Sequence, residues 1–259
     1  MDFEVERRLQ WAEQTAVEVG RLLMKGFRAG IESTDKAAGI VTELDRQAEE
    51  LVVNELGAAF PEDGLVSEEG AAIQSSNGWR WIVDPLDGTT NYVAGLPHFA
   101  TSYGCLRGDR VELGVVHAPA MSETFTATRG GGAFGPDGPL RAKSTARLRD
   151  AVFLLNKCYL PPDVLWDTCR GLLDNLRAFR YLGCISLDIT YVAAGRVDGL
   201  VLLPSEPWDI AAGVAMLQES GAGYTDLFGD PLSAGERSGM VAAPWALLDE
   251  VRSLLRFPQ

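Results

Sequence analysis

Hydrophobic residues recur every three or four positions through the first 27 residues of the chain, a spacing that places them on one face of a helix. The members of this stripe are Val5, Leu9, Ala12, Ala16, Val19, Leu23 and Phe27. A second stripe begins after Gly39 and runs to Pro61, and it predicts a second helix. Thr42 precedes Asp45 by three residues, much as in a capping box, so Asp45 is expected in the first turn of that helix.

The pattern changes from Trp79 to about Phe134, where short β-rich runs are separated by Gly and Pro. The strands predicted there are 81–83, 100–106, 111–116 and 123–128. In the second half, strands are predicted near 151–155, 197–203 and 224–227, and helices near 164–176, 186–194, 208–219 and 245–255. We therefore expect layers in which helices cover sheets, with a division into residues 1–145 and 146–259.

Length and composition are those of a globular protein. The 259 residues are 46% hydrophobic and 23% charged, with a formal net charge of −13 and a pI of about 4.6. This acidity argues against a nucleic-acid surface, which needs clustered Lys and Arg. No uncharged apolar run approaches the ~20 residues that span a bilayer, so a soluble cytoplasmic protein without membrane contacts is expected. An anionic substrate would need local positive charge, and a bound divalent metal is the economical source.

Two carboxylates follow a strongly apolar predicted strand in the run Asp84-Pro85-Leu86-Asp87-Gly88-Thr89-Thr90. The chain thus presents both acids at the edge of a sheet, where α/β proteins place their sites. Pro85 fixes one backbone angle, which helps the carboxylates to converge, and the turn at Gly88 offers N–H groups that could hold a phosphate. Crowded carboxylates repel and raise one another's pKa, so the run predicts a bound cation.

Further acids stand at the starts and ends of other elements. Glu68 and Glu69 follow a short predicted strand, and Asp209 lies in the first turn of an apolar helix. Taken singly, a Glu pair is typical of a solvated loop, and an acid at a helix start is favoured by the helix dipole. The functional interpretation therefore depends on these acids coming together with Asp84 and Asp87.

The combined motifs resemble the inositol monophosphatase family, within the superfamily that includes fructose-1,6-bisphosphatases and nucleotide 3'-phosphatases. The run from Trp81 to Thr90 resembles the first family signature, and Trp208-Asp209-Ile210-Ala211-Ala212-Gly213 resembles the second. Glu68-Glu69 and Thr42-Glu43-Leu44-Asp45 stand where the family has its Glu pair and its helix-start Asp. The resemblance implies an α+β fold layered as the αβαβα sandwich of sugar phosphatases, and a homodimer.

The resemblance also implies a Mg²⁺-dependent, lithium-sensitive phosphomonoesterase. The implied metal ligands are Glu68, Asp84, the Leu86 carbonyl, Asp87 and Asp209. The first three would hold one Mg²⁺ and the three aspartates a second, with a weaker third ion reached from Glu68 through water. Two metals can activate a water on one side of the ester and neutralise the leaving alkoxide on the other. Asp45 and Thr89 would orient or deprotonate that water, with Glu68 as the other candidate base.

Substrate contacts are implied around the metals and at one later loop. They are Glu68, Leu86, Asp87, Gly88, Thr89, Gly183, Cys184, Ile185 and Asp209. The implied substrate is a small polyol or sugar phosphate such as myo-inositol monophosphate. Inositol-specific members carry a Glu, a ligand for sugar hydroxyls, late in the strand before the second signature; this chain has Leu200–Leu203 there, and Glu206 is the nearest acid. Ile185 would also narrow a pocket that normally offers a backbone N–H.

Several alternatives stay open. A histidinol-phosphate phosphatase or a fructose-1,6-bisphosphatase fits the same motifs, and so does a catalytically silent regulatory or interaction protein. A nucleotide 3'-phosphatase is less favoured, because Thr90-Asn91 stands where that branch tends to have Lys-Glu. Lys36 stands where the family commonly has a basic residue, with a weak role in closing the site or simple solvation as equal alternatives. Both histidines, His98 and His117, are interpreted as structural.

Overall fold

The computed structural model describes residues 2–27, 33–36, 39–156 and 161–257, with the side chains of 33–36 and 39–42 left out of the description. The side chain of Lys36 therefore lies outside the described residues. The helices are α1 (Phe3–Gly26), α2 (Glu43–Ala59), α3 (Thr89–Val93), α4 (Pro162–Leu173), α5 (Ile185–Ala193), α6 (Pro207–Ser220) and α7 (Trp245–Ser253). None of the helices in this part of the chain has the length and hydrophobicity needed to cross a membrane.

The first half of the chain forms a large sheet, preceded by a hairpin of β1 (Ser33–Lys36) and β2 (Gly39–Thr42). The sheet strands are β3 (Gly64–Ser67), β4 (Ala72–Ile73), β5 (Trp79–Asp87), β6 (Ala100–Arg107), β7 (Arg110–Ala118), β8 (Glu123–Thr128), β9 (Gly132–Gly135) and β10 (Gly138–Pro139). Their order is β10-β9-β8-β7-β6-β5-β3-β4. Within this sheet β3 and β5 pair in parallel, so both strands end at the same edge.

The second half forms a smaller mixed sheet. Its strands are β11 (Val152–Asn156), β12 (Ala178–Arg180), β13 (Gly199–Ser205), β14 (Gly223–Thr225) and β15 (Ser238–Ala243), in the order β12-β11-β13-β15-β14. The three strands β12, β11 and β13 run parallel, and β15 pairs antiparallel with both of its neighbours. The sequence pattern missed β15, a central strand, because its Gly, Met and Ala residues carry little β-propensity.

Hydrophobic side chains form three cores in the described part of the chain, and these cores set the order of the layers. One core joins α1 and α2 to one face of the large sheet. A second lies between the two sheets and is filled by α5 and α6. The third joins the outer face of the small sheet to α4 and α7. The molecule is thus helix, sheet, helix, sheet, helix, as the αβαβα expectation requires.

Helix α6 packs unusually close to the large sheet because two strand residues beneath it are glycines. A Cβ at Gly104 would lie 2.5 Å from the Cβ of Ala211, and a Cβ at Gly114 would lie 2.5 Å from the Ala212 carbonyl oxygen. At the N-terminal end of α6, Ser102 on β6 donates a hydrogen bond to the Trp208 carbonyl at 3.4 Å. This close approach brings the start of α6 to the edge where β5 ends.

The division of the chain into residues 1–145 and 146–259 stays a prediction. The strands of the large sheet all lie on one side of it, within residues 64–139, and those of the small sheet lie within residues 152–243. The shared core between the sheets nevertheless draws on both halves.

Candidate active site

A β-bulge at the end of β5 turns two aspartates toward the same side. Asp84 pairs with Ser102 of β6 and Asp87 pairs with Ala100, so three steps along β5 oppose two along β6. Without the extra residue, side chains three positions apart would point to opposite faces of the sheet. The Leu86 N–H donates to Asp84 Oδ1 at 2.9 Å and holds the turn closed.

Asp209 completes a cluster with these two carboxylates. Oxygen atoms of Asp84, Asp87 and Asp209 all lie within 4.8 Å of one another, and all three residues are buried. Asp209 is the third residue of α6, where it accepts a hydrogen bond from the Glu206 N–H at 3.1 Å. No Lys or Arg in the described part of the chain forms an ion pair with any of the three.

The burial of these acids makes their ionised forms costly. Burial first, and then the nearby charges of Glu68, Asp87 and Asp209, raises the pKa of Asp84 well above its usual value. Burial, with the charges of Asp87 and Glu68 next, also raises the pKa of Asp209. A divalent cation would relieve both effects, and a set of carboxylate and carbonyl oxygens is the donor set that Mg²⁺ prefers.

Glu68 reaches the cluster from the neighbouring strand. It directly follows β3, whose parallel pairing with β5 brings both carboxyl ends to one edge, and its N–H donates to the Val83 carbonyl at 3.3 Å. The side chain is half-buried and hydrogen-bonds with Asp84, which adds to the rise in the pKa of Asp84. The predicted ligands Glu68, Asp84, Asp87 and Asp209 are therefore brought together; their roles stay predictions.

Asp87 is fixed by the N-terminus of α5. The N–H of Ile185 donates to Asp87 Oδ1 at 3.2 Å, and Ser186 donates to Asp87 Oδ2 from its N–H at 2.7 Å and from its hydroxyl at 2.6 Å. The fully buried Cys184 thiol, whose pKa is raised by burial, donates to the same oxygen at 3.1 Å. Sequence reasoning missed Ser186, because nothing local indicates that a carboxylate 99 residues earlier lies at this helix start.

Thr89 and Asp45 meet beside the acids, as predicted. The Thr89 hydroxyl donates to the Leu86 carbonyl at 3.0 Å and lies 3.5 Å from Asp45 Oδ1, a longer and weaker contact. Asp45 is buried in the first turn of α2, as expected, whereas the side chain of Thr42 lies outside the described residues. Gly88 precedes Thr89 with a φ of 86°, and a Cβ there would lie 3.1 Å from the His98 carbonyl oxygen, so this tight turn favours glycine.

These residues line one side of a cavity of about 450 Å³. The predicted residues on its wall are Glu68, Asp84, Leu86, Asp87, Gly88, Thr89, Gly183, Ile185 and Asp209, with Thr90, Asn91, Leu96, Pro97, His98, Asn156, Tyr181 and Leu182 completing it. The acids thus share one wall with the Gly88 turn, and the remaining wall mixes apolar and polar side chains. His98 lines this cavity, whereas His117 is buried against Thr124, with Nδ1 2.9 Å from its hydroxyl.

The strand before Asp209 offers the cavity no acid. Leu202 on β13 is fully buried in the core between the sheets. The Glu206 carboxylate instead caps the start of α6 and lies 3.5 Å from Arg237. Glu206 therefore does not replace the glutamate that inositol-specific members carry.

Comparison with known proteins extends these observations over nearly the whole chain. The model of the Inositol monophosphatase family matches residues 4–258. A fructose-1,6-bisphosphatase/inositol-1-monophosphatase of Thermotoga maritima is 37% identical over 230 residues, or 88% of each chain. A protein of Escherichia coli strain K12 named Nus factor SuhB is 34% identical over 229 residues, or 85% of each chain.

A solved structure gives the same picture of the fold. The Thermotoga maritima IMPase aligns with a TM-score of 0.87 and 35% identity, covering 95% of this chain and 96% of its own. The predicted layered fold is therefore confirmed.

Proposed function

The chain belongs to the inositol monophosphatase family, and on this premise we propose that it is a Mg²⁺-dependent phosphomonoesterase that hydrolyses a small polyol or sugar phosphate such as myo-inositol monophosphate. One observation carries the proposal. Three buried carboxylates converge within 4.8 Å at a cavity wall without a compensating Lys or Arg in the described part of the chain. Such a cluster is suited to binding divalent cations, and a phosphate ester needs positive charge.

We assign the metal ligands as the sequence predicts them. Glu68, Asp84 and the Leu86 carbonyl would hold one Mg²⁺, and Asp84, Asp87 and Asp209 a second, with a third reached from Glu68 through water. Bound there, Mg²⁺ would supply positive charge for the phosphate and lower the pKa of a bound water. The Leu86 carbonyl already accepts from Thr89, and its second lone pair leaves room for an ion.

The protein groups around the cluster would position water and phosphate. Thr89, held between the Leu86 carbonyl and Asp45, would orient the attacking water, with Glu68 as the other candidate base. The N–H groups of Gly88 and Thr89 donate to no acceptor in the described part of the chain, and we propose that they receive phosphate oxygens. Water is the nucleophile in this scheme, and no covalent intermediate forms.

The nature of the alcohol portion is open within the superfamily. The cavity of about 450 Å³ has room for a sugar phosphate, and fructose 1,6-bisphosphate and histidinol phosphate are the alternatives. A panel of these esters, with phosphate release measured in Mg²⁺ and in EDTA, tests the proposal. We expect release that stops with chelator, and activity unchanged in EDTA would refute the metal mechanism.

Asp87→Asn provides the matched variant for this test. It keeps the shape of the side chain and one of the two oxygens that accept from the α5 N–H groups, but it removes a metal-binding charge. We expect turnover to fall by at least about 100-fold while the far-ultraviolet circular dichroism of the fold persists. Wild-type turnover in this variant would refute the site assignment.

A silent regulatory role is the alternative from another class, and the relative named Nus factor SuhB gives it a specific form. The intact carboxylate set favours the phosphatase. Failure of the wild-type protein to hydrolyse any ester of the panel in Mg²⁺ would favour the regulatory alternative instead. By family resemblance the proposal also includes inhibition by lithium, a homodimer and a cytoplasmic location. A lithium titration of activity would check the inhibition, and light scattering would check the homodimer.

A further inference from the structure

A polar network forms part of the cavity wall outside the acidic cluster. His98 lies in the loop before β6, Asn156 ends β11, and both side chains line the cavity. Both contact Asp188 of α5: His98 Nε2 lies 3.2 Å from Asp188 Oδ1, and Asn156 Nδ2 donates to Asp188 Oδ2 at 3.1 Å. None of the three belongs to the acidic cluster, and the reaction described above uses none of them.

Asp188 fixes the orientation of the His98 ring. Its carboxylate is fully buried, and each of its oxygens has a partner, so it cannot turn away without losing a bond. With Nε2–H donating to this carboxylate, Nδ1 of a neutral imidazole is an acceptor. Edge-on contact with the Tyr191 ring, at a centroid distance of 5.6 Å, holds the same orientation.

The acceptor on His98 has no other use in the described part of the chain. The contact with Asp188 is the one hydrogen bond of its ring there, and 17% of the side chain is exposed. Elsewhere on this wall Leu96, Pro97 and Leu182 offer hydrocarbon, and Thr90, Asn91 and Tyr181 add further polar groups. His98 therefore presents an acceptor to the cavity in an orientation that Asp188 and Tyr191 fix.

We propose that His98, positioned by Asp188, accepts a hydrogen bond from a hydroxyl of the substrate's alcohol portion. The site accordingly prefers phosphate esters of small polyhydroxylated alcohols to esters that carry no further hydroxyl. This inference rests on the proposed phosphatase function and adds a specificity-determining residue to that same cavity.

Two substitutions at His98 distinguish its hydrogen bond to the substrate from its hydrogen bond to Asp188. In His98→Gln the amide nitrogen takes the place of Nε2 and keeps the bond to Asp188, while the acceptor at Nδ1 is lost. In His98→Asn the amide oxygen takes the place of Nδ1, while the bond to Asp188 is lost. His117→Asn, at the buried histidine outside the cavity, keeps the Nδ1 position facing Thr124 and serves as the matched control.

The measurement is kcat/KM in Mg²⁺ for glycerol 2-phosphate and for 4-nitrophenyl phosphate, which has no free hydroxyl. We expect His98→Gln to lower the ratio of kcat/KM for glycerol 2-phosphate to that for 4-nitrophenyl phosphate about tenfold, because one hydrogen bond to the glycerol ester is lost. The value for 4-nitrophenyl phosphate should not change. His98→Asn should retain more of the ratio than His98→Gln, and His117→Asn all of it. Thermal unfolding in EDTA shows whether each variant is folded.

The positioning role of Asp188 has its own readout. Asp188→Leu, which removes both carboxylate oxygens at similar volume, should lower the same ratio because the imidazole is no longer fixed, with turnover of 4-nitrophenyl phosphate retained. A ratio unchanged in a folded His98→Gln protein, or an equal loss for both esters, would overturn the assignment of His98. If the wild-type protein hydrolyses neither ester in Mg²⁺, nor any ester of the wider panel, the proposed function fails and this assignment fails with it.

Discussion

Asp84→Asn is expected to stabilise the metal-free protein while it removes the response to Mg²⁺. Asp84 is buried beside Glu68, Asp87 and Asp209, and burial and these charges raise its pKa. An Asn at this position keeps an oxygen to accept from the Leu86 N–H, and its amide nitrogen can donate toward Glu68. The substitution therefore removes charge repulsion with little change in shape.

The size of the effect follows from the distances within the cluster. Two unit charges 4.8 Å apart repel by about 3 kcal/mol at an effective dielectric constant of about 20. A retained proton relieves part of this repulsion, so we expect a net gain of about 1–3 kcal/mol in the free energy of unfolding in EDTA at pH 8. For a chain of this size the melting temperature should rise by roughly 2–10 °C.

The sign of the pH dependence gives a second readout. Between the usual Asp pKa of 3.8 and the raised value in the folded protein, the folded state holds a proton that the unfolded state has released. The stability of the metal-free wild-type protein should therefore fall as the pH rises through this window, and Asp84→Asn should show a shallower fall.

Chemical denaturation in EDTA and in saturating MgCl₂ tests both points. Binding to the folded state at 100 times Kd stabilises it by about 2.7 kcal/mol, and we expect this gain in the wild-type protein only. The difference in stability between Asp84→Asn and wild type should therefore be smaller in MgCl₂ than in EDTA, or change sign. A variant less stable than wild type in EDTA, or one that gains as much from Mg²⁺, would show that the cluster is not a repulsive metal site.

Three further changes test how the fold supports the site. Ser186→Ala removes the 2.6 Å hydroxyl bond to Asp87 and should raise the Mg²⁺ concentration for half-maximal activity about tenfold, as a Mg²⁺ titration would show. Thr89→Ala should lower kcat by about 100-fold, whereas Thr89→Ser, which keeps the hydroxyl, should not. Gly104→Ala should destabilise the fold by about 1–3 kcal/mol through its clash with Ala211, while Gly57→Ala, where a Cβ has no neighbour within 4 Å, should stabilise it by about 0.5–1 kcal/mol in denaturation experiments.

Those parts of the site that depend on local patterns could be predicted from the sequence. Asp84 and Asp87 lie at the end of an apolar strand, and Asp209 lies in the first turn of a helix, positions that strand and helix-start patterns indicate directly. Asp45 was found in the same way, from Thr42 three residues before it. Secondary-structure propensity and hydrophobic periodicity reflect interactions between residues a few positions apart, so they can place an acid at the end of a strand or the start of a helix.

Contacts between distant segments could not be predicted in this way. The bulge that aligns Asp84 and Asp87 depends on pairing with β6, and Ser186 reaches Asp87 across 99 residues. The contact of His98 with Asp188, 90 residues later, and its place in the cavity wall are likewise not indicated by the local sequence. Strand β15 could not be predicted for a related reason. Its burial between two neighbouring strands stabilises it, whereas its own β-propensity is low.

The energetics of the acidic cluster also bear on the choice between a phosphatase and a silent regulatory protein. A chain that never binds a cation carries the repulsion among Asp84, Asp87 and Asp209 as a permanent cost, and a single Asp to Asn change would remove much of it. The Escherichia coli relative named Nus factor SuhB is 34% identical to this chain, and its name does not describe a phosphatase. Nevertheless, retention of all three buried acids, with Asp87 fixed by four donor groups of α5 and the residue before it, favours a site that works with metal bound.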